Sequence, residues 1–504
     1  MSVQRVNLGE WTPDMPSTTG TESTGLSDAR NVYPNNVGYS PFPTTVDVSP
    51  SADQDLTSVY AGKDGALVQI FAGSDQKIYI VYSADSPVTR RAVTYEGGVT
   101  IADVSRISSP YNTSPEAWHF EQFGKRILAC KDNNQIQAWE LGVSTKFEDL
   151  NKKETDGTIV SSAPTAKCMA IVRDFVVAGN IDAGDKPNLV QWSDINQEDN
   201  WKPGQQSQAD SQYLADGGAI QNITGGEIGI IFLENAVYRM SYVGSPLFFQ
   251  FDKISTTGCF EGKSCIEDNG TSYYLSNDGF YMTDGNSVKA IGTNKVDEWF
   301  LANANLKELP TMSTVVHPIY KLVIWNYEDN FGKRQNLIYH IESGRWSRTE
   351  TDATSVGNIA TMGTDLERLS VLYPKLDTDV PAPLDDRVYV GGKYIFAGTK
   401  GKKMITFTGK CADPRLETLD LMGNNNSVMT MVRPIVDNGE ANISIAPRQA
   451  LRDTVEFGAI SEPYDNRNNV RAGGRYFRVR VEPVGDNWTT AVAFDMTVTD
   501  SGTR

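Results

Sequence analysis

The sequence predicts an all-β protein, most of it a β-propeller of six or seven blades. Short apolar runs of strand length recur along the chain, separated by turn-forming pairs such as Asp156-Gly157 and Asp278-Gly279. Their centres lie 43 to 54 residues apart, close to the roughly 40–50 residues of a four-stranded blade. These centres are Ile80, Leu128, Val177, Ile231, Tyr274, Val323 and Leu372. A sandwich or another all-β arrangement also produces runs at this spacing.

The first 45 residues predict an extended N-terminal arm. Helix-breaking prolines are spread through them at Pro16, Pro34, Pro41 and Pro43. We therefore expect residues 1–45 to lie along another surface. The propeller domain is expected to span residues 46–375.

Residues 376–504 predict a separate C-terminal β-sandwich domain. Polar and apolar residues alternate along its runs, most clearly from Arg475 to Glu482. This alternation puts Phe477, Val479 and Val481 on one face and Tyr476, Arg478, Arg480 and Glu482 on the other. One apolar face with a period of two residues is typical of a half-buried antiparallel strand.

One segment predicts a helix. Within residues 294–303, Val296, Trp299 and Phe300 recur at the spacing of one helical face.

The net charge of −17 argues against a protein that binds nucleic acid through a basic surface. The charge is unevenly divided, with −16 in residues 1–375 and −1 in residues 376–504. This division predicts two chemically different surfaces.

The cysteine content predicts free thiols in a reducing compartment. The chain has five cysteines, an odd number, and no Cys-x-x-Cys spacing. The first residues contain no apolar run of the kind found in a signal peptide, and no stretch of the sequence is long and apolar enough to span a bilayer.

No motif indicates catalysis, a metal or a cofactor. The histidines, His119, His317 and His340, share no short segment with cysteines or carboxylates at ligand spacing. Gly258–Ser264 is similar to a phosphate-binding loop, but three residues separate its glycines where that loop has four. We therefore expect a protein that is not an enzyme and holds no metal or cofactor. Some propellers are glycosidases with a carboxylate pair at a channel mouth, and the 63 acidic residues leave such a pair unidentified.

Tryptophans near strand ends have two interpretations. Trp192, Trp201 and Trp346 are expected to fill the space between neighbouring blades. The alternative is that they stack on sugars or bases.

The one basic concentration lies near the C-terminus and has two interpretations. It consists of Arg467, Arg471, Arg475, Arg478 and Arg480. These side chains are candidates for contact with phosphate or with an acidic partner. The alternative is a solvated strand face balanced by Glu482 and Asp486.

Several strings resemble those of one family. They are Asn31–Pro34 with Gly38-Tyr39; Arg173–Gly179 with Trp192-Ser193-Asp194 and Trp201; Ile231–Met240 with Tyr242–Gly244; Asp278–Tyr281 with Asp284-Gly285 and Ile291-Gly292; and Gly474–Arg480 with Trp488 and Ser501-Gly502. Together they resemble the tail hub or nozzle protein of short-tailed bacteriophages, also called the packaged-DNA stabilisation protein. The similarity covers most of the chain and involves structural residues.

The resemblance implies a homo-hexameric ring below the portal and the head-to-tail adaptor protein. Such a ring continues the channel for double-stranded phage DNA, retains the genome until ejection, and anchors a tail needle, fibres or spikes. It implies a place in the virion tail after assembly in the host bacterial cytoplasm, with no membrane span. In such a ring the N-terminal arm is expected to cross onto a neighbouring subunit or the adaptor. The family supplies no catalytic residues.

Two other functions stay open at this point. One is a receptor- or carbohydrate-binding propeller at the tail tip. The other is a glycan-degrading enzyme.

Overall fold

The computed structural model describes residues 2–16, 25–65, 67–83, 99–107, 110–114, 116–132, 134–360, 375 and 393–500. Within these ranges the chain is nearly all β, with a single α-helix. No helix in the same ranges is long and apolar enough to cross a membrane.

Five short strands come from the N-terminal region. They are β1 (Ser2–Asn7), β2 (Leu26–Arg30), β3 (Val32–Pro34), β4 (Tyr39–Pro41) and β5 (Val46–Asp47).

Seven antiparallel four-stranded units, here called sheets I to VII, follow in the described chain; six are separate sheets, and sheet VI is continuous with a 13-stranded sheet. Sheet I has β6 (Leu56–Asp64), β7 (Leu67–Ser74), β8 (Ile78–Ser83) and β9 (Val99–Asp103). Sheet II has β10 (His119–Phe123), β11 (Arg126–Cys130), β12 (Gln137–Glu140) and β13 (Glu148–Asp149), and is followed by a hairpin of β14 (Asn151–Lys153) and β15 (Ile159–Ser162). Sheet III has β16 (Ala166–Val172), β17 (Phe175–Ile181), β18 (Lys186–Trp192) and β19 (Asp210–Tyr213). Sheet IV has β20 (Ile220–Thr224), β21 (Gly229–Leu233), β22 (Ala236–Gly244) and β23 (Phe248–Ser255).

Sheet V has β24 (Ile266–Asp268), β25 (Thr271–Ser276), β26 (Gly279–Thr283) and β27 (Val288–Ala290). Sheet VI has β28 (Ser313–Val316), β29 (Leu322–Glu328), β30 (Arg334–His340) and β31 (Trp346–Glu350). Sheet VII has β32 (Ser355–Ala360), β33 (Tyr394–Lys400) and β34 (Lys403–Thr406), and its fourth strand is β5.

Neighbouring sheets share hydrophobic cores in a closed circuit. Each sheet packs on the next one along the chain, and sheet VII packs on sheet I through a core that contains Val59 and Ile359. Trp192 and Trp346 are buried in two of these cores, and Trp201 in a third. The expectation that these tryptophans fill the space between sheets is confirmed.

The circuit is closed by a strand from the other end of the chain. Asp47 of β5 pairs with Ile405 of β34, and the backbone N–H of Val48 donates to the carbonyl of Met404 at 2.9 Å. Sheet VII therefore depends on residues about 350 positions away in sequence.

The expected strand centres fall in different sheets. Ile80, Leu128, Val177, Ile231, Tyr274 and Val323 are buried in strands of sheets I to VI, one to a sheet. Leu372 lies outside the described residues.

The C-terminal strands, strands from the N-terminus and the four strands of sheet VI form one 13-stranded sheet. The C-terminal strands are β35 (Arg415–Thr418), β36 (Leu421–Asp437), β37 (Glu440–Arg448), β38 (Asn468–Val484) and β39 (Thr490–Asp500). In β38, Phe477, Val479 and Val481 are buried, as the alternating pattern predicts. The predicted boundary after residue 375 separates β32 from β33, which the structure pairs in sheet VII.

The N-terminal strands pair with this chain's own C-terminal region. β1 runs antiparallel to β39, and β2 lies between β31 and β35. Trp11, Leu26 and Tyr39 are buried in the core shared with the C-terminal strands. This differs from an arm that crosses to a neighbouring subunit, because Trp11, Leu26 and Tyr39 are covered within the same chain.

The predicted helix is present as α1 (Asp297–Asn303). Val296 and Phe300 are buried in the large core. The Asp14 carboxylate accepts hydrogen bonds from the backbone N–H groups of Glu298 and Trp299, so the arm caps the start of this helix.

Candidate functional site

A cavity of about 540 Å³ lies where the first strands of the sheets converge. Its walls come from β6, β10, β24, β28 and β32, and a second cavity of about 210 Å³ adds residues of β16 and β20. We call the two together the axial cavity.

Charged and polar side chains face one another across the axial cavity. The imidazole Nε2 of His119 lies 3.2 Å from Oε1 of Glu121, and both side chains are about one-third exposed. The carboxylate of Asp268 lies 3.8 Å from the ammonium group of Lys321. Both carboxylates line the larger cavity.

A buried ionic network lies beside this cavity. The Glu116 carboxylate is 3.2 Å from Lys167 and 3.9 Å from Lys263. Burial raises the pKa of Glu261, which is opposed by the hydrogen bond from the Lys263 backbone N–H. The pKa of Lys167 is raised because the attraction of Glu116 outweighs the opposing effect of burial. Lys167 is therefore held in its protonated form beside Glu116.

The geometry suits the capture of a small polar molecule. Glu121 and Asp268 offer acceptors, Lys263 and Lys321 line the same cavity, and the His119 imidazole lies beside Glu121. The sequence analysis did not select these carboxylates, because the first strand of each sheet carries no motif of its own. Their one sequence signal is their place just before an apolar strand.

The other two histidines are held by local bonds. The Nδ1 atom of His317 accepts from the backbone N–H groups of Ile319 and Tyr320, and its ring stacks on Tyr320 with centroids 4.6 Å apart. His340 Nδ1 lies 2.7 Å from the hydroxyl of Ser343. Within the described ranges, no group of three or more His, Cys, Asp or Glu residues is placed to hold a metal ion.

The loop that resembles a phosphate-binding loop is tied by hydrogen bonds to the neighbouring sheets. Its Gly262–Ser264 segment forms a single 3-10 turn, followed by β24. Asn222 donates to the Gly262 carbonyl at 2.7 Å, and the indole N–H of Trp325 donates to the Ser264 carbonyl at 2.9 Å. Lys263 turns away to donate to the Ala117 carbonyl at 2.9 Å. The loop therefore links sheets IV, V and VI with the segment that precedes sheet II.

The candidate arginines separate into two groups. Arg478 and Arg480 form ion pairs with Asp420 and Glu417, so these two belong to a balanced strand face. Arg471 and Arg475 are exposed, and Arg467 is half-buried just before β38. The acids that balance this strand face are therefore Asp420 and Glu417. Glu482 pairs instead with Arg415.

An exposed mixed patch lies at one end of the C-terminal sheet. Met422 is directly opposite Tyr476 in neighbouring strands, and the guanidinium of Arg475 lies 5.6 Å from the centre of the Tyr476 ring. On the other side of β38, Arg448 of β37 is directly opposite Tyr476. Leu451 is close by, because its carbonyl accepts a hydrogen bond from the Arg448 guanidinium. Met422 and Leu451 are 55% and 42% exposed. We call Met422, Leu451, Arg475 and Tyr476 the C-terminal patch.

Comparison with known proteins gives similarity in structure only. No protein-family model matches the chain, and no curated protein matches its sequence. Similar solved structures include a puromycin hydrolase mutant, with 9% identity, a TM-score of 0.38, and coverage of 67% of this chain and 56% of the hydrolase. This chain therefore spans little more than half of the length of that hydrolase.

Two further similar structures come from other classes. One is the WD40 domain of a coronin from Toxoplasma gondii, with 9% identity, a TM-score of 0.36, and coverage of 73% of this chain and 87% of the domain. The other is a putative 6-phosphogluconolactonase from Bacteroides fragilis, with 12% identity, a TM-score of 0.36, and coverage of 61% and 94%. At these TM-scores the similarity assigns no activity to this chain.

The expectation that the protein is not an enzyme is corrected by this comparison. A hydrolase and a putative lactonase are among the similar structures. The absence of a sequence motif therefore gives no ground for excluding catalysis in this chain.

Proposed function

We propose that this protein is a structural component of a short phage tail, in which six copies form the nozzle or hub. In this role the ring extends the DNA channel below the portal and adaptor, retains packaged DNA, and anchors a needle, fibres or spikes. The resemblance of the strings described above supports the proposal at the level of sequence.

The C-terminal patch is the observation that carries the proposal. Arginine, methionine and tyrosine are the residue types enriched in protein interfaces, and here they lie together on one exposed sheet end. Met422 is more than half exposed. A partner that covers such a side chain removes apolar surface from water, which stabilises the complex. The patch is therefore our candidate contact with a neighbouring subunit or the adaptor.

For the architecture, we infer a seven-bladed propeller joined to a C-terminal β-sandwich. The closed circuit of shared cores supports seven blades, with β5 as the closing strand. Residues from both halves of β38, together with β36, β37 and β39, contribute to one core, which supports a sheet folded over itself. In the assembled ring, the wall of the channel must also be a surface to which DNA does not adhere.

The acidic charge supports passage of DNA. Six copies at −17 each carry about −102 in total. If this charge lines the lumen, it repels the DNA backbone during transit. A ring whose lumen is lined by basic residues would contradict this part of the proposal.

The deciding experiment is the native mass of the purified protein, alone and mixed with candidate adaptor rings. We expect a six-fold assembly, formed alone or on an adaptor. The variant Met422→Glu combined with Arg475→Glu should abolish the assembly while leaving the melting temperature unchanged. Val143→Glu, at a 68% exposed site on a turn of sheet II, is the matched control and should assemble normally. A stable monomer or trimer that ignores every adaptor would contradict the proposal.

A second candidate function is favoured by the axial cavity. Glu121 and Asp268 line one cavity together with His119, a set that can serve acid–base hydrolysis of a polar substrate such as a glycan. We expect any such activity on bacterial polysaccharide to be lost in both Glu121→Gln and Asp268→Asn. The control Asp284→Asn, on an exposed turn of sheet V, should retain it. Equal activity in all three variants would reject the cavity as the site.

A further inference from the structure

Cys259 and Cys265 lie side by side in the linking loop between sheets IV and V. Their Sγ atoms are 3.5 Å apart, and both side chains are buried in the core shared by the two sheets. A disulfide requires about 2.05 Å between the sulfurs. A shift of about 1.5 Å therefore brings the two sulfurs to bonding distance.

The two thiols differ in their access to solvent. Cys265 is 8% exposed and lines both parts of the axial cavity, whereas Cys259 is 1% exposed. The Sγ of Cys259 also contacts the Glu261 carbonyl at 3.2 Å, which holds it within the loop. A small oxidant that enters the axial cavity therefore meets Cys265 first.

We propose that Cys259 and Cys265 form an oxidisable dithiol that peroxide converts to an intramolecular disulfide. In the first step the Cys265 thiolate attacks one oxygen of hydrogen peroxide, the O–O bond breaks, and a sulfenic acid and hydroxide form. In the second step the Cys259 sulfur attacks the Cys265 sulfur, and the hydroxyl leaves as water with the Cys259 proton. The thiols lose two electrons in all, and one peroxide becomes two waters.

The disulfide acts on a loop that ties several sheets together. The residues between the two cysteines include Gly262, Lys263 and Ser264, whose bonds reach sheets IV and VI and the segment before sheet II. The Ser264 hydroxyl also accepts from the backbone N–H of Leu275 in sheet V at 2.9 Å. Closing a ring over residues 259–265 restricts the unfolded chain and this loop, so oxidation is expected to stabilise the wall of the axial cavity.

The remaining buried thiols provide internal controls. The Sγ of Cys130 donates to the Ala166 carbonyl at 3.1 Å, and that of Cys168 to the Gly179 carbonyl at 3.7 Å. Both cysteines are buried in other cores, between sheets II and III and between sheets III and IV. We expect them to stay reduced under conditions that oxidise Cys265.

The test treats the reduced, folded full-length chain with hydrogen peroxide and then maps its cysteines by mass spectrometry after alkylation in denaturant. We expect a Cys259–Cys265 link, the loss of two hydrogen atoms in mass, and a rise in melting temperature that a thiol reductant reverses. Burial raises the pKa of Cys265, so the reaction should accelerate as the pH rises. These outcomes do not depend on the assembly state or on the proposed tail function.

Two serine variants sharpen the test. In Cys259→Ser, Cys265 should accumulate as a sulfenic acid that dimedone traps, because no second thiol resolves it. Cys168→Ser is the matched control and should form the disulfide at the wild-type rate. Recovery of Cys259 and Cys265 as alkylated thiols from peroxide-treated wild-type protein would overturn the proposal, as would over-oxidation of Cys265 without a link. The wild-type map decides the question even where a variant does not fold.

Discussion

The Nε atom of Arg478 lies 3.4 Å from Oδ1 of Asp420, whose side chain has no exposed surface. A second guanidinium, that of Arg448, contacts the other carboxylate oxygen. Arg448 is itself fixed by donating to the carbonyls of Leu451 and Asp453, each at 3.0 Å. This cluster joins β37, β38 and the start of β36, and it adjoins the C-terminal patch through Arg448, which is opposite Tyr476.

Replacing this buried carboxylate should destabilise the C-terminal region strongly. Asp420→Asn leaves two arginines without their counter-charge, which typically costs about 3–5 kcal/mol of unfolding free energy. Denaturant unfolding measures the difference. The control is Asp495→Asn, which breaks the pair with Arg5, 62% exposed, and should cost less than about 1 kcal/mol. If Asp420→Asn lowered the free energy of unfolding no more than Asp495→Asn does, the buried cluster would contribute no more to stability than an exposed ion pair.

The N-terminal arm should behave as part of the folded core. Trp11 is 1% exposed, and its indole N–H donates to the Ser27 carbonyl at 3.2 Å. Trp11→Ala should lower the free energy of unfolding by about 3–5 kcal/mol, because it leaves a large cavity. The control Val3→Ala, at a site 68% exposed, should have almost no effect. Thermal unfolding monitored by circular dichroism distinguishes the two, and a stable Trp11→Ala protein would favour an arm that docks elsewhere.

At Gly38 the arm approaches the backbone of β39 closely. A Cβ atom at this position would lie 2.2 Å from the carbonyl oxygen of Ala491, a backbone atom that cannot turn aside. Gly38→Ala should therefore destabilise the protein by about 1–3 kcal/mol. Gly204→Ala is the matched control, since a Cβ there meets nothing within 4 Å. Similar melting temperatures for the two variants would argue against a tight contact between β4 and β39.

Stability should depend on pH through Asp297. Burial raises the pKa of this carboxyl from 3.8 to about 6, opposed by the hydrogen bond from the Phe280 backbone N–H. Because the folded state binds the proton more tightly, stability is full below about pH 4 and falls as the pH rises to about 6.

Asp297→Asn should remove this fall, which is on the order of 2–3 kcal/mol. Unfolding measured from pH 4 to 7 gives the slope. Asp284→Asn serves as the control: hydrogen bonds from Asn286 and Ser287 lower the pKa of that carboxyl, so its effect lies at lower pH. An unchanged slope in Asp297→Asn would assign the pH dependence to another group.

Local patterns in the sequence were enough to predict individual strands and the helix. The spacing of apolar runs located strands in six of the sheets, and the alternation around Phe477 identified the buried face of β38. The i, i+3, i+4 pattern around Trp299 located α1. These features succeed because the periods of strands and helices involve residues close together in sequence.

The domain limits and the candidate site were harder to predict from the sequence. The boundary after residue 375 falls between β32 and β33, which pair in sheet VII although the segment between them is much longer than a hairpin loop. The arginines were identified as a group, but their division into ion-paired and exposed members depends on Asp420 and Glu417 in other strands. Glu121 and Asp268 were not selected among so many acids, since 147 residues separate them along the chain.

The sequence by itself determined the all-β character, the repeating strand spacing, one helix and the acidic charge, because each is a property of composition or of short-range periodicity. Only the tertiary structure decided that β5 closes sheet VII, that the arm pairs with β39, and that Cys259 and Cys265 come within 3.5 Å. The physical reason is that strand pairing and side-chain contact are set by burial and hydrogen bonding between surfaces that meet only when the chain folds.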